Sequence, residues 1–228
     1  MKKHIPNTIT CCNLISGCIS TYFAFLSDYR MALLFIVIGA VFDFFDGMVA
    51  RMLNVSSPIG KELDSLADDI TFGFAPSAII FSFLCSFHNH LLFIPFLAFI
   101  MAAFSALRLA KFNLDTRQAL GFIGLPTPAN ALFWGSLIVG INDNNFTFDG
   151  MEWVILAGTF LSCYLLIAEI PMFALKFKHW GWKGNKIKYI FILSCVPILF
   201  LLGIAGFAVI IAWYVILSIA TKQSILKA

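Results

Sequence analysis

Apolar residues run along this chain in long blocks separated by short polar punctuation. Blocks near 8–27, 31–53, 63–87, 91–112, 127–141, 152–175, 187–203 and 205–221 each approach the ~20 residues that a bilayer-spanning helix needs. The fifth is short and enters through Pro126 and Pro128. The last two form one apolar stretch interrupted by Pro197, Gly203 and Gly206. A single helix over 187–220 would run about 51 Å at ~1.5 Å per residue, well beyond a hydrocarbon core of ~30 Å. Two short helices joined by a tight glycine turn fit better. The pattern predicts an all-α fold, a polytopic transmembrane helical bundle of about eight spans.

Composition agrees. Hydrophobic residues make up 61% of the 228 positions and charged residues 12%, about half the ~25% usual for soluble domains. One soluble core could not hide that much apolar surface. A soluble enzyme, a disordered chain and a secreted disulfide scaffold are excluded. The six cysteines include no C-x-x-C pair and sit within apolar runs, as small hydrophobes. MKKHIPNTIT has two lysines before an apolar stretch but no small-x-small cleavage site, so it reads as a retained first helix.

Charge placement sets the expected orientation. With both termini in the cytosol, Lys2, Lys3, Arg51, Lys61, Arg108, Lys111, Arg117, Lys176, Lys178, Lys183, Lys186, Lys188, Lys222 and Lys227 all fall on the cytosolic side. Of the 15 Lys and Arg residues, Arg30 alone falls outside. Seven spans would send Lys222 and Lys227 outside, so eight are favoured. Residues 1–228 read as a single integral membrane domain in the cell (inner or plasma) membrane, with 187–221 the least constrained part. Nothing points to nucleic acid.

Ionisable groups inside membrane segments are costly, and that makes the aspartates the first functional suspects. Asp43 and Asp46 end the second block, followed by Gly47, Ala50 and Arg51. Gly60, Asp64 and Asp68 open the third. Spacings of three and four put each Asp pair on one helix face. Two adjacent antiparallel helices can therefore aim four carboxylates at one space. Such a group must be partly protonated or held by cations. Hard divalent ions prefer oxygen ligands, and Mg²⁺ or Mn²⁺ serves phosphate chemistry in such settings. Gly47 and Ala50 leave room for a ligand near the backbone, and Arg51 and Lys61 lie where lipid phosphates would sit. Simple pairing of the aspartates with Arg51 and Lys61 would leave two carboxylates over.

The spacing D-x2-D-G-x2-A-R-x8-G-x3-D-x3-D is complete at Asp43, Asp46, Gly47, Ala50, Arg51, Gly60, Asp64 and Asp68. It resembles the signature of the CDP-alcohol phosphotransferases, so the motif spans 43–68. The resemblance implies an integral membrane enzyme that moves a phosphatidyl-type group from a CDP-linked lipid to an alcohol and releases CMP. It implies a site for two metal ions at Asp43, Asp46, Asp64 and Asp68, with Asp68 as general base. It also implies CMP near Gly47, Ala50 and Gly60, and a homodimer.

LDSLADDITFGFAPS (63–77), RLAKFN (108–113), GFIGLPTPANA (121–131) and IPNTITCCNLISG (5–17) resemble the serine-using branch. So does LIAEIPMFALK (166–176), with Ala168 and Ala174 in place of expected serines. The implied donor and acceptor are CDP-diacylglycerol and L-serine. Glycerol 3-phosphate or inositol phosphate as acceptor, an archaeal lipid donor, or a cation-coupled transporter are the alternatives. No Ser, Cys or His beside the cluster stands out as a covalent nucleophile, which favours direct displacement.

Asn7, Thr10 and Asn13 make a polar stripe on the first span. It serves either as helix–helix glue or as a contact for nucleotide and lipid phosphates. Arg108 and Lys111 share a face and either hold the serine carboxylate or anchor the cytosolic side. Asn130 could reach the pocket. Asp69 is rotated ~100° from Asp68 and reads as a supporting or surface charge. His88 and His90 lie on the side away from the aspartates. His4 and His179 read as interfacial, and Trp180 and Trp182 as an aromatic belt.

Overall fold

A computed structural model describes residues 4–87, 93–115, 122–173, 181 and 185–221. Lys2, Lys3, His88, His90, Arg117, Ala174, Lys176, Lys178, His179, Trp180, Trp182, Lys183, Lys222 and Lys227 lie outside the described residues, as do the readings that rest on them.

Helix α1 covers His4–Phe25 and α2 covers Tyr29–Met52. Asp28 starts α2 by accepting the Met31 N–H at 3.1 Å, satisfying one of the free donors of the first turn. Helix α3 (Pro58–Asp68) begins earlier than the apolar pattern predicts. Its start is a polar signal: Ser57 Oγ accepts the Gly60 N–H at 3.0 Å, and Pro58 takes the first position, where an N–H is not needed.

Helix α3 runs on through a π turn, Asp69–Phe74, into α4 (Ala75–Cys85). The Ala75 N–H bonds back to the Ile70 carbonyl, five residues away. Pro76 follows and has no N–H for the Phe72 carbonyl, so the regular ladder cannot close there. A 3₁₀ turn (Pro95–Phe99) leads into α5 (Ile100–Leu114); α6 (Thr127–Asp143) and α7 (Met151–Ile167) follow.

Helix α7 stops short of the predicted 175. Phe122–Ile123 (β1) and Pro171–Met172 (β2) pair antiparallel, Phe122 with Met172 and Ile123 with Pro171. The chain is already extended at Ala168, and Pro171 has no N–H to offer a continuing helix. Among the described residues this is the only β pairing. The chain ends in α8 (Lys186–Leu202), a 3₁₀ turn at Gly203–Ala205 and α9 (Gly206–Ala220).

Among the described residues, five stretches are long and apolar enough to cross a membrane: His4–Phe25, Tyr29–Met52, Pro58–Cys85, Pro95–Leu114 and Lys186–Ala220. The last is not a straight rod. Gly203 has φ 54°, and Gly206 returns so close to α8 that a Cβ there would lie 3.0 Å from the Ile198 carbonyl. In a continuous helix those residues would be separated by ~12 Å.

Helix α1 lies along α2 and touches α3 and α4; α6 packs on α2, α4 and α9, while α5 packs on the π turn and α7. Ile36, Phe72, Ile79, Met101, Trp134 and Ile138 fill the space between them. Many apolar side chains, among them Phe44, Leu193 and Phe200, face outward, as suits lipid. Small residues allow the closest approaches. Thr71, in the π turn, is wedged between two glycines. A Cβ on Gly17 would lie 2.5 Å from Thr71 Oγ1 and within 2.9 Å of its backbone. A Cβ on Gly39 would meet Thr71 Cγ2 at 2.5 Å.

Gly17→Ala and Gly39→Ala should each cost about 1–3 kcal/mol through overpacking, read as a lower thermal midpoint of the detergent-solubilised protein. Adding Thr71→Ser should restore part of the loss for Gly39→Ala, because the clashing methyl is gone. It should not restore Gly17→Ala, where backbone is in the way.

Candidate active site

The π turn and the Ser57 cap fix where α3 points its polar face. Asp43 on α2 and Asp64 and Asp68 on α3 come together, each offering one carboxylate oxygen within 4.8 Å of the others. Asp46 stands beside them, buried, and its Oδ2 accepts the Thr10 hydroxyl at 2.6 Å. Asn13 Nδ2 donates to Asp68 Oδ1 at 3.1 Å. Two members of the polar stripe of α1, Thr10 and Asn13, thus donate to two of the four carboxylates. Thr71 Oγ1 in turn donates to the Asn13 carbonyl at 3.0 Å and ties α1 to the π turn.

Asp64 Oδ1 is buried without a hydrogen-bond partner. An orphaned anionic oxygen next to two more carboxylates is costly unless a cation fills the space. The donor set is all oxygen and all anionic, which suits a hard divalent ion.

A cavity of about 250 Å³ opens beside this cluster, lined by Asn7, Thr10, Asp46, Gly47, Ala50, Gly60, Lys61 and Asp64, with Pro6 and residues 55–57 completing the wall. Gly60 is needed for closeness: a Cβ there would be 3.0 Å from Asn7 Oδ1. Arg51 is exposed and folds back along α2, its guanidinium 3.5 Å from where a Gly47 Cβ would sit. Lys61 Nζ donates to the Asn113 carbonyl at 3.1 Å, joining α3 to the end of α5. Asn113 Nδ2 also donates to Ser65 Oγ at 2.7 Å.

Arg108 is buried, attracted by the Asp68 charge, bonded to Thr127 Oγ1 at 3.4 Å and stacked over Phe112. Arg108 and Lys111 line a second cavity of about 340 Å³, between α5 and the end of α7. Asn130 lines neither of these two cavities. It is fully buried, with Nδ2 3.2 Å from Met101 Sδ, one turn along α6 from Thr127. Asp69 faces inward rather than out: its Oδ1 is buried and, with Ser105 Oγ, lies within 2.8 Å of where a Gly73 Cβ would be.

Sequence reasoning missed three parts of this site. The donor role of Thr10 needs α1 in register with α2, and that of Asn13 needs α1 in register with α3. The Lys61–Asn113–Ser65 link joins distant segments. The loop wall at 55–57 had a visible signal in Ser57-Pro58, a helix-start pair.

The CDP-alcohol phosphatidyltransferase family profile matches residues 3–221, and the chain belongs to that family. Among its relatives, a Bacillus subtilis (strain 168) protein named CDP-diacylglycerol–serine O-phosphatidyltransferase is 36% identical over 181 residues, 78% of this chain and 91% of the relative. A Helicobacter pylori (strain 26695) protein of the same name is 30% identical over 216 residues, 94% of this chain and 89% of the relative. A Methanocaldococcus jannaschii protein with that name is 35% identical over 136 residues, 60% of this chain and 59% of the relative.

Thr10→Val keeps the shape and removes the hydroxyl. It should weaken divalent-ion binding about 10–100-fold, the usual cost of losing a group that orients a ligand. Mn²⁺ titration followed by electron paramagnetic resonance reads this directly.

Proposed function

We propose that the chain transfers the phosphatidyl group of CDP-diacylglycerol to the hydroxyl of L-serine, releasing CMP and forming phosphatidylserine. One observation carries this reading: Asp43, Asp64 and Asp68 gather beside a cavity whose walls are Gly47, Ala50 and Gly60. Membership of the family and the names of several relatives support the choice of donor and acceptor.

Asp43, Asp46, Asp64 and Asp68 would hold one or two divalent ions, Mg²⁺ or Mn²⁺, whose charge offsets that of the pyrophosphate and of the departing phosphate. Gly47, Ala50 and Gly60 leave space for the cytidine nucleotide, with Asn7, Thr10 and Asn13 along its α1 side. Lys61 and Arg51 attract the phosphates, and the acyl chains stay in lipid. Arg108 and Lys111 hold the serine carboxylate; Asn130 supports this wall through α6. Asp68, which has one oxygen fixed by Asn13, takes the proton from the serine hydroxyl. The freed oxygen attacks the lipid-side phosphorus, and the bond from that phosphorus to CMP breaks.

Arg51, Lys61, Arg108 and Lys111 lie at the aspartate end of the helices, whereas Arg30 pairs with Asp143 at 2.9 Å at the other end. This distribution supports an aspartate end facing the cytosol. With α6 and α7 as spans and the break at Gly203 separating two more, eight crossings return both termini to that side of the cell membrane. The chain acts as one domain, and a homodimer is the assembly we assign to it.

Asn substitutions at Asp43, Asp46, Asp64 and Asp68 should each lower CMP release at least ~100-fold while leaving the folded protein intact by size exclusion. Normal turnover by Asp64→Asn would overturn the scheme. Chelation with EDTA should abolish turnover, and Mg²⁺ or Mn²⁺ should restore it. Purified protein offered CDP-diacylglycerol should use L-serine far faster than glycerol 3-phosphate or inositol phosphate; the reverse ranking rejects serine and keeps the family.

A further inference from the structure

The second cavity contains more charge than a carboxylate site requires. Arg108 and Lys111, three apart on one face of α5, supply two cations. Asp115, at the C-cap of α5, and Glu169, just past the end of α7, supply two anions around the same space of about 340 Å³. Ile123 and Leu166 are among the apolar parts of the wall. A ligand with a negative charge alone would meet two carboxylates here, at a cost in repulsion. A small zwitterion would meet opposite charges at both ends.

The backbone that holds Glu169 is fixed. The Gly124 N–H donates to the Ile170 carbonyl at 2.9 Å, and the Leu125 N–H donates to the Leu165 carbonyl at 2.9 Å. Gly124 has φ 77°, and a Cβ there would lie 2.7 Å from the Leu166 carbonyl, so only glycine lets the two segments close. The β1–β2 pairing follows directly, with Ile123 opposite Pro171. Glu169 therefore stands on a braced strap facing α5. Ala168, beside it, adds no further polar group.

We propose that Glu169 is a specificity-determining residue that receives the α-ammonium group of the acceptor, opposite the carboxylate held by Arg108 and Lys111. The site would then recognise an α-amino acid by both charges and present its side-chain hydroxyl toward Asp68. This inference rests on the proposed serine reaction and adds the group that reads the amine.

The test compares L-serine with β-hydroxypropionate, which is serine without its amino group. In the wild-type protein, kcat/KM for CMP release should favour serine strongly. Glu169→Gln should raise the KM for serine at least tenfold with a much smaller change in kcat. Its kcat/KM for β-hydroxypropionate should stay within about twofold, so that discrimination collapses. Glu169→Asp should recover part of it. Equal losses on both acceptors would mean that Glu169 only supports the strap. Unchanged serine kinetics would mean that it does not touch the amine. Either result overturns the inference while the serine reaction stands. A wild-type protein that releases no CMP with serine would instead overturn the serine reaction, and the inference with it.

Discussion

Like charges gathered at the end of a membrane helix bundle repel one another, and the rest of this structure is arranged to make that gathering possible. Asp43, Asp64 and Asp68 stand within 4.8 Å by their oxygens, with Asp46 alongside. Two of the four receive hydrogen bonds from α1, through Thr10 and Asn13. Such donors lower the cost of the charges but do not neutralise them. Neutralisation needs protons or cations, and the buried Asp64 oxygen without a hydrogen-bond partner lies where a cation could sit. In the proposed reaction, the demand for a counter-charge and the handling of phosphate are the same property of the site.

Helix contacts serve that arrangement. Thr71 is clasped by Gly17 and Gly39 and bonds to the Asn13 backbone, so the π turn, α1 and α2 are fixed to one another just behind the carboxylates. The π turn also changes the phase of the α3–α4 rod immediately after Asp68. Asp64 and Asp68 face α2, while Asp69, at the start of the turn, faces Ser105 on α5. Without that change of phase, one straight helix would have to satisfy the site and the core with a single periodicity.

The two cavities divide the chemistry along the same logic. Small residues and a loop wall form the first, which leaves backbone accessible to a flat group. Charges of both signs form the second, on α5 and on the strap after α7. Arg108 lines the second cavity and is buried within reach of the Asp68 charge. A buried guanidinium there ties that cavity to the aspartate cluster through charge.

Residue order was enough to show a set of long apolar helices, to place the main ones, and to single out four aspartates at the ends of the second and third as candidates. Each of those facts is local: a run of apolar residues, or carboxylates three and four apart on a face. Helix starts set by polar caps, as at Ser57, were legible in principle but hidden from apolar counting. The break at Gly203 was legible because glycine there serves a backbone need, a positive φ. Tertiary structure alone decided that Thr10 and Asn13 bond to Asp46 and Asp68, and that Lys61 reaches Asn113. It also decided that α7 ends early in a two-residue β pairing and that Glu169 shares a cavity with Arg108. These depend on contacts between residues tens of positions apart, which no periodicity within one helix encodes.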